Sequence, residues 1–443
     1  MHYTRLLFLT IFSCLQLALF AQIDMQAHVA SDEGKAAYTT YTNKQTAYYT
    51  GDYAYTALIS LTNDELFGRI NTLMGNTAFT TGRSFNYSNL STNYGPVDTD
   101  LNNKNNIILF YNGASVSSTW DSGKTFNKEH VWPQSFGASE SRPMGYDMHA
   151  VRPCNPSINS SRSNRGYAET DNANNTYVPN SSYRGDCARI IMYDYLTYGK
   201  AGNYSNKYYK EGDADLFNEF GTGAEKIFES LHIMLKWHLQ DPPSLTEMVR
   251  NDGAQDYQGN RNPLIDYPEL AIQVFLDDGI TTYSVTESSS ATMNPAHRYT
   301  LSDGFIAYLT NNDGSHPQDI KVTGANYTYD KTLGRLTITN VTGNMTISDV
   351  AGANPDPEPE PEPSTTYTVT WMANGSVHTT RTYAQNSDLQ LPSAPNPCDG
   401  YTFVGWTTEA NYSNPFCQPA DLFTSASGKV TSNVTYYAVF KKD

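Results

Sequence analysis

Positive charge is scarce in this chain. Lysine and arginine number 29 against 45 aspartates and glutamates, the formal net charge is −16, and only 17% of residues are charged. A protein that coats nucleic acid gains its affinity from many cations that release counterions. That class is excluded, so any phosphate-binding surface must be a local basic patch in an acidic protein. Cysteine is also scarce, and no two of the five stand as CxxC, which argues against a zinc ribbon. There is no G-x-S-x-G elbow, phosphate loop, helix-turn-helix or zinc-finger pattern. An inverted zinc-protease motif would need histidine at position 126, where Phe126 stands. Long apolar runs are missing after the first 21 residues. The run from Leu6 to Phe20 follows His2 and Arg5 and precedes the small Ala21. It is too short for a comfortable membrane span and reads as a secretory signal over 1–21, predicting an exported protein. Cys14 within it reads as a signal cysteine lost on cleavage.

Tyrosine, by contrast, is abundant, with 33 copies. The remaining cysteines, Cys154, Cys187, Cys398 and Cys417, are even in number, which in an exported chain suggests two disulfides. Their distribution favours Cys154–Cys187 and Cys398–Cys417. The spacing of Leu66, Ile70 and Leu73 predicts a helix over Thr62–Met74 with Thr62 as N-cap. Asn106–Tyr111 reads as a buried strand ending in an Asn112-Gly113 turn. Gly185–Tyr195 and Ile227–His238 read as buried helices. From about residue 285 short alternating stretches such as Arg335–Thr339 predict a small β module over 285–350. Residues 351–365 form a Pro/Glu linker, extended and semi-rigid. Residues 366–443 are again β-patterned. The expected fold is α+β: a mixed, helix-rich domain over 22–282, followed by small all-β modules.

The chemistry concentrates in three neighbouring stretches: Phe126-Asn-Lys-Glu129-His130-Val-Trp-Pro133, Asp147-Met-His149-Ala150-Val-Arg152-Pro, and Pro156-Ser-Ile-Asn159-Ser-Ser-Arg162-Ser-Asn164-Arg165. They read as two strands and a helix. His130 would end the first strand and Asn159 would sit early on the helix, with Arg162 one turn later. Glu129 and His130 would point to opposite sides, so that one can bind metal while the other faces water. Glu129 and Asn159 offer oxygen ligands suited to a hard cation, Mg²⁺ with Mn²⁺ or Ca²⁺ as substitutes. His130 offers a general base. Arg162, Arg165 and Arg152 suit phosphate oxygens. Each has a bland counterpart: Asn159 a helix cap, Arg162 a fold-internal ion pair, His149 and Arg152 structural groups, Trp132, Trp237 and Tyr167 core. Gln258-Gly-Asn-Arg-Asn-Pro263 reads as a buttressing turn.

Together these segments resemble the bacterial endonuclease I family, a branch of the His-Me finger (ββα-metal) nucleases. Gly185-Asp-Cys-Ala-Arg189 and Gln258–Leu270 extend the likeness over about residues 50–275. The resemblance implies His130 as general base, Glu129 and Asn159 as metal ligands, and Arg162 as a catalytic contact. Arg152, Asn164 and Arg165 would bind substrate. The implied reaction is Mg²⁺-dependent, non-specific hydrolysis of DNA, or RNA, to 5′-phosphate ends. One departure is Ala150, where relatives usually carry asparagine or histidine that helps hold the site; His149 is the candidate substitute. The alternative reading is a weakened nuclease acting as a nucleic-acid-binding or adhesion protein. Gly400-Tyr-Thr-Phe-Val-Gly-Trp406 and Tyr436–Phe440 resemble the Listeria–Bacteroides (internalin B-repeat type) module, which implies a spacer or a cell-surface or matrix contact.

Overall fold

The computed structural model describes residues 32–210, 230–276, 279–350, 366–410, 422 and 429–443. The leader, the Pro/Glu linker and Cys417 lie outside the described residues. Two compact units result, divided at Ala351.

The first unit opens with helices α1 (Asp32–Tyr48), α2 (Tyr55–Leu58), α3 (Asn63–Thr77) and α4 (Tyr87–Val97). Helix α3 begins where the sequence predicts, but the Thr62 side chain makes no cap bond. Leu66, Phe67, Ile70, Leu73 and Met74 on this helix are buried, as its apolar spacing requires. Strands β1 (Thr99–Asp100), β2 (Asn103–Ile108) and β3 (Ser115–Ser117) form a small antiparallel sheet. The predicted strand over 106–111 thus starts earlier and ends at Ile108, and its first three residues are exposed. Leu109, Phe110 and Tyr111 continue into the core beyond it. Gly113 takes the left-handed conformation that closes the turn, with Asn112 Oδ1 accepting from Ala114 N.

The hairpin β4 (Asn127–His130) and β5 (Val151–Cys154) follows, with α5 (Pro143–Tyr146) in its connection and α6 (Pro156–Arg162) behind it. Asn155 caps α6, accepting from Ser157 N and Ile158 N, and Pro156 supplies its first turn. After the two-residue strands β6 (Gly166–Tyr167) and β7 (Thr176–Tyr177) comes α7 (Arg184–Tyr198). Every residue of α7 after Arg184 is buried, so it is the central helix. Two of its charged residues, Asp186 and Arg189, join Glu247 in a buried ion-pair cluster. Helices α8 (Leu231–Gln240), α9 (Leu245–Gln258), α10 (Pro263–Asp266) and α11 (Leu270–Val274) complete the helical part. Ser244 and Glu247 form a reciprocal cap at the start of α9.

Eight strands follow: β8 (Tyr283–Ser288), β9 (Thr292–Asn294), β10 (Tyr299–Thr300), β11 (Ile306–Thr310), β12 (Ile320–Thr323), β13 (Asn326–Asp330), β14 (Arg335–Thr339) and β15 (Met345–Asp349). They make two four-stranded sheets, ordered β10-β8-β15-β12 and β13-β14-β11-β9. Their core residues, among them Leu309, Leu336 and Ile347, join one continuous apolar cluster with Phe67, Ile191 and Phe275 of the helices. Polar ties run the same way: Asp303 accepts from Lys236 and His232 on α8, and Arg298 donates to the Ile59 carbonyl. These strands therefore share a core with the helical part.

The second unit is one sheet of β16 (Thr366–Ala373), β17 (Ser376–Ala384), β18 (Tyr401–Thr407) and β19 (Val434–Lys442), ordered β17-β16-β19-β18. Trp371 stacks on Tyr436 at 4.4 Å and meets Trp406 edge-on at 5.0 Å. Trp406 is thus core, as expected.

The disulfide expectation fails for its first pair. Cys154 and Cys187 are free, buried thiols. The Cys154 sulfur is directed to the Phe110 and Asn155 carbonyls, while Cys187 is enclosed within α7. Burial pushes both thiols well above their usual range, so neither is primed as a thiolate. Cys398 is an exposed free thiol; its expected partner Cys417 is outside the described residues.

Because Trp371 carries the core of the second unit, Trp371→Ala should lower that unit's stability by about 3–5 kcal/mol. Calorimetry should show its transition shifted or lost while that of the first unit stays in place. Equal shifts of both would contradict separate cores.

Candidate active site

The β4–β5–α6 arrangement puts the sequence-predicted residues on two faces of one strand. Side chains alternate along β4, so Asn127 and Glu129 turn toward α6 while Lys128 and His130 turn away. On the α6 side, Asn159 Nδ2 donates to Asn127 Oδ1 at 2.9 Å and to the Lys128 carbonyl at 3.2 Å. One turn later Arg162 donates to the His130 and Val131 carbonyls, both at 2.7 Å, and pairs with Glu129 at 3.2 Å. Glu129 also accepts from the Tyr111 hydroxyl at 2.7 Å, and Tyr111 meets the Tyr167 hydroxyl. Arg162 lies over the Tyr167 ring. Burial pushes the Glu129 carboxyl above its ordinary value in spite of Arg162 and Tyr111, which oppose the shift.

On the other face the His130 ring stacks on Tyr87 with centroids 5.4 Å apart. Its Nε2 lies 3.0 Å from the Gly145 carbonyl oxygen. A carbonyl can only accept, so Nε2 carries the proton and Nδ1 keeps the basic lone pair. The Gln134 amide lies 3.3 Å from the same Nε2. Burial lowers the His130 pKa to about 4, with the Gly145 bond opposing and the Arg162 and Lys128 charges assisting. The ring is therefore neutral near pH 7. It is also only 7% exposed, which corrects the expectation that it faces open water. Lys128 beside it donates to the Tyr87 carbonyl and lies 3.8 Å over the Tyr87 ring.

Three arginine expectations are corrected. Arg152 is buried beneath the hairpin, 3.4 Å from Asp98 and 4.5 Å over the Phe110 ring; Asp98 binds Arg250 as well. Arg165 is spent on Asp171 and on the Ser161, Asn172 and Thr176 carbonyls, closing the loop after α6. Arg162 is 1% exposed, with Glu129 and two carbonyls as partners. It positions the site and does not present a guanidinium to phosphate. Of the expected substrate contacts only Asn164 is exposed.

Ala150 turns out to be packed in an apolar cluster with Phe126, Met148 and Val151. His149 does not replace a missing partner of His130: its ring lies against Tyr193 and its Nε2 meets the Asn260 carbonyl. The role falls to Gly145. Asp147 accepts from His149 N, Tyr193, Tyr198 and Gln258. Gln258, Asn260, Arg261 and Asn262 are wholly buried, as a buttressing turn should be. Tyr87, Tyr111 and Gly145 carry no sequence signal of their own, because they reach the site from other elements. Asn127 had one: it lies two residues before Glu129 and so shares its strand face.

Among the described residues no group of three or more histidine, cysteine, aspartate or glutamate side chains could hold a metal. The donor set here is different in kind: one carboxylate, Glu129, beside the amides of Asn127 and Asn159. Such oxygens fit a hard divalent cation that keeps most of its waters.

Residues 64–181 and 171–269 match the Endonuclease I family model, and residues 367–439 match the Listeria-Bacteroides repeat domain. An extracellular ribonuclease of Bacillus amyloliquefaciens is 34% identical over 193 residues, which is 40% of this chain and 64% of the relative. An extracellular ribonuclease of Bacillus subtilis (strain 168) is 32% identical over 195 residues with the same coverage. The chain thus spans 64% of the length of each.

Two outcomes follow from the His130 environment. In an NMR titration its imidazole should stay neutral down to about pH 4; the depressed value means that the basic form is present above this pH and lost below it. A midpoint near the free-histidine value of about 6.5 would show an unburied ring. In Gly145→Ala the new methyl would overlap the Ser139 carbonyl, forcing the Gly145 backbone away. The His130 ring resonances should shift and its titration midpoint should move, with the fold retained. Unchanged resonances would show that the carbonyl does not hold the ring.

Proposed function

We propose, from the match of residues 64–269 to the Endonuclease I family model, that the protein is an exported, metal-dependent nuclease that hydrolyses phosphodiester bonds without sequence preference. The carrying observation is the neutral His130 held through Nε2 by Gly145, on the strand that also carries Glu129, with Asn159 of α6 bonded to the Lys128 carbonyl. His130 Nδ1 takes a proton from the attacking water. Stacking on Tyr87 and the Gly145 bond restrict the ring to one orientation, which reduces the entropy cost of reaction. Glu129 and Asn159 are the residues that would hold the cation, Mg²⁺ in this reading. Bound there, a divalent cation neutralises phosphate charge and steadies the leaving oxygen. Arg162 keeps Glu129 and the end of β4 in register with α6. Asn164, exposed just past α6, is the remaining candidate for a substrate contact.

The substrate proposed is DNA and RNA, with 5′-phosphate ends as products. The relatives' names support RNA. A site built around phosphate rather than sugar supports both, since backbone contacts carry no sequence information. Export is supported by the leader-like residues 1–21 and by the extracellular relatives. The Listeria-Bacteroides repeat is read as a spacer or surface contact. The weakened-site reading rested on Ala150 and on the appended β modules; the Gly145 bond to His130 speaks against the first of these.

Plasmid DNA and a structured RNA, each incubated with the full chain and Mg²⁺, should be cleaved, and EDTA should abolish cleavage. His130→Ala should reduce the rate by about 10²–10⁴-fold. Cleavage that persists in EDTA, or in His130→Ala, would sink the proposal. Cleavage of one polymer alone would settle the substrate.

A further inference from the structure

A cavity of about 270 Å³ lies where α1, α2 and the Asp266–Glu269 turn meet strand β9. No residue of β4, β5 or α6 lines it. Its walls include Tyr38 and Tyr41, with rings 6.1 Å apart, and Tyr55 and Tyr267, with rings 4.8 Å apart. Strand β9 closes it with Met293 and Asn294.

Two carboxylates reach this cavity, and they differ in one respect. Asp266 is matched by Arg261, which binds both of its oxygens at 2.8 and 2.9 Å. Glu269 is 8% exposed and is bonded by the Tyr55 hydroxyl. Among the described residues no lysine or arginine stands within ion-pair distance of Glu269. The Arg298 charge opposes the rise of Glu269, while its guanidinium donates to the Ile59 carbonyl at 2.6 Å. Burial pushes Glu269 up to about 7 despite the Tyr55 bond, as expected for a buried carboxylate that lacks a counter-charge.

The walls select the kind of cation. A Mg²⁺ or Ca²⁺ ion would draw ligands from the oxygen donors of the wall; of these Asp266 is held by Arg261, Asn294 bonds Tyr38, and Gln45 and Thr292 are neutral, which leaves the Glu269 carboxylate. An alkylated ammonium is served by one carboxylate together with aromatic faces whose negative π-clouds attract the charge. We propose that this cavity binds a small alkylammonium cation, seated among Tyr38, Tyr55 and Tyr267 with Glu269 as its counter-charge. On this reading the strands of 279–350 complete a ligand site as well as a core. The head group could come from a quaternary amine or from a polyamine.

Isothermal titration of the full chain with choline, with spermidine and with 3,3-dimethylbutan-1-ol, the uncharged isostere of choline, tests this. Saturable binding of either cation is expected, weakened at least about tenfold in the alcohol and in Glu269→Gln. Which cation binds distinguishes the two sources. Thr292→Trp, at the exposed rim of the cavity, should abolish binding without disturbing a buried group. Equal affinity for the alcohol, binding unaffected by Glu269→Gln, or no saturable binding of either cation up to about 10 mM would overturn the proposal.

Discussion

The active region depends on one buried guanidinium. Arg162 binds the Glu129 carboxylate and the carbonyls of His130 and Val131 from a position that is 1% exposed. Those carbonyls lie at the frayed end of β4, where strand pairing stops and backbone acceptors would otherwise be orphaned. One side chain therefore satisfies the strand end, pairs the Glu129 carboxylate and ties α6 to the hairpin. Removing one partner from such a buried pair costs about 3–5 kcal/mol. Tyr111 and Tyr167 extend the network into the central core beside α7.

The two faces of β4 divide the chemistry. The face toward α6 carries charge and amide oxygens, and the face toward Tyr87 carries a neutral imidazole. The two groups are adjacent in sequence yet meet different neighbours, because alternation along a strand sends them to opposite sides. Burial then acts on each according to its charge. It raises the Glu129 carboxyl and lowers His130, and for the histidine this keeps the base form available at neutral pH. The Gly145 carbonyl adds the tautomer, so basicity and proton position are both set before any substrate arrives.

Much of this could be read from the residues. The helices over 62–74 and 185–195, which run on to Thr77 and Tyr198, the hairpin with its following helix, and the core role of Trp406 all followed from apolar spacing and turn residues. Glu129, His130 and Asn159 were expected as a set, and they lie on β4 and on α6 behind it. The roles of the arginines did not follow. Arg152, Arg162 and Arg165 suggested a basic face, but each is consumed by carboxylates and carbonyls inside the fold. A guanidinium serves phosphate and buried carbonyl equally well, so residue type alone could not separate the two. The Cys154–Cys187 pair failed for a similar reason: an even count says nothing about where thiols point.

What the sequence by itself determined is local: strand alternation, the helix start at Asn155-Pro156, the register that places Asn159 and Arg162 one turn apart. These depend on neighbours within a few residues, whose dihedrals and spacing are set by covalent geometry. What only the tertiary structure decided is which distant groups complete each of them. Tyr87 and Gly145 hold His130, Tyr111 reaches Glu129, Asp98 takes Arg152, and β9 closes the tyrosine-lined cavity against α1. Those pairings come from burial, where each polar group must find a partner once water is gone, and partners brought together by folding leave no spacing rule in the chain.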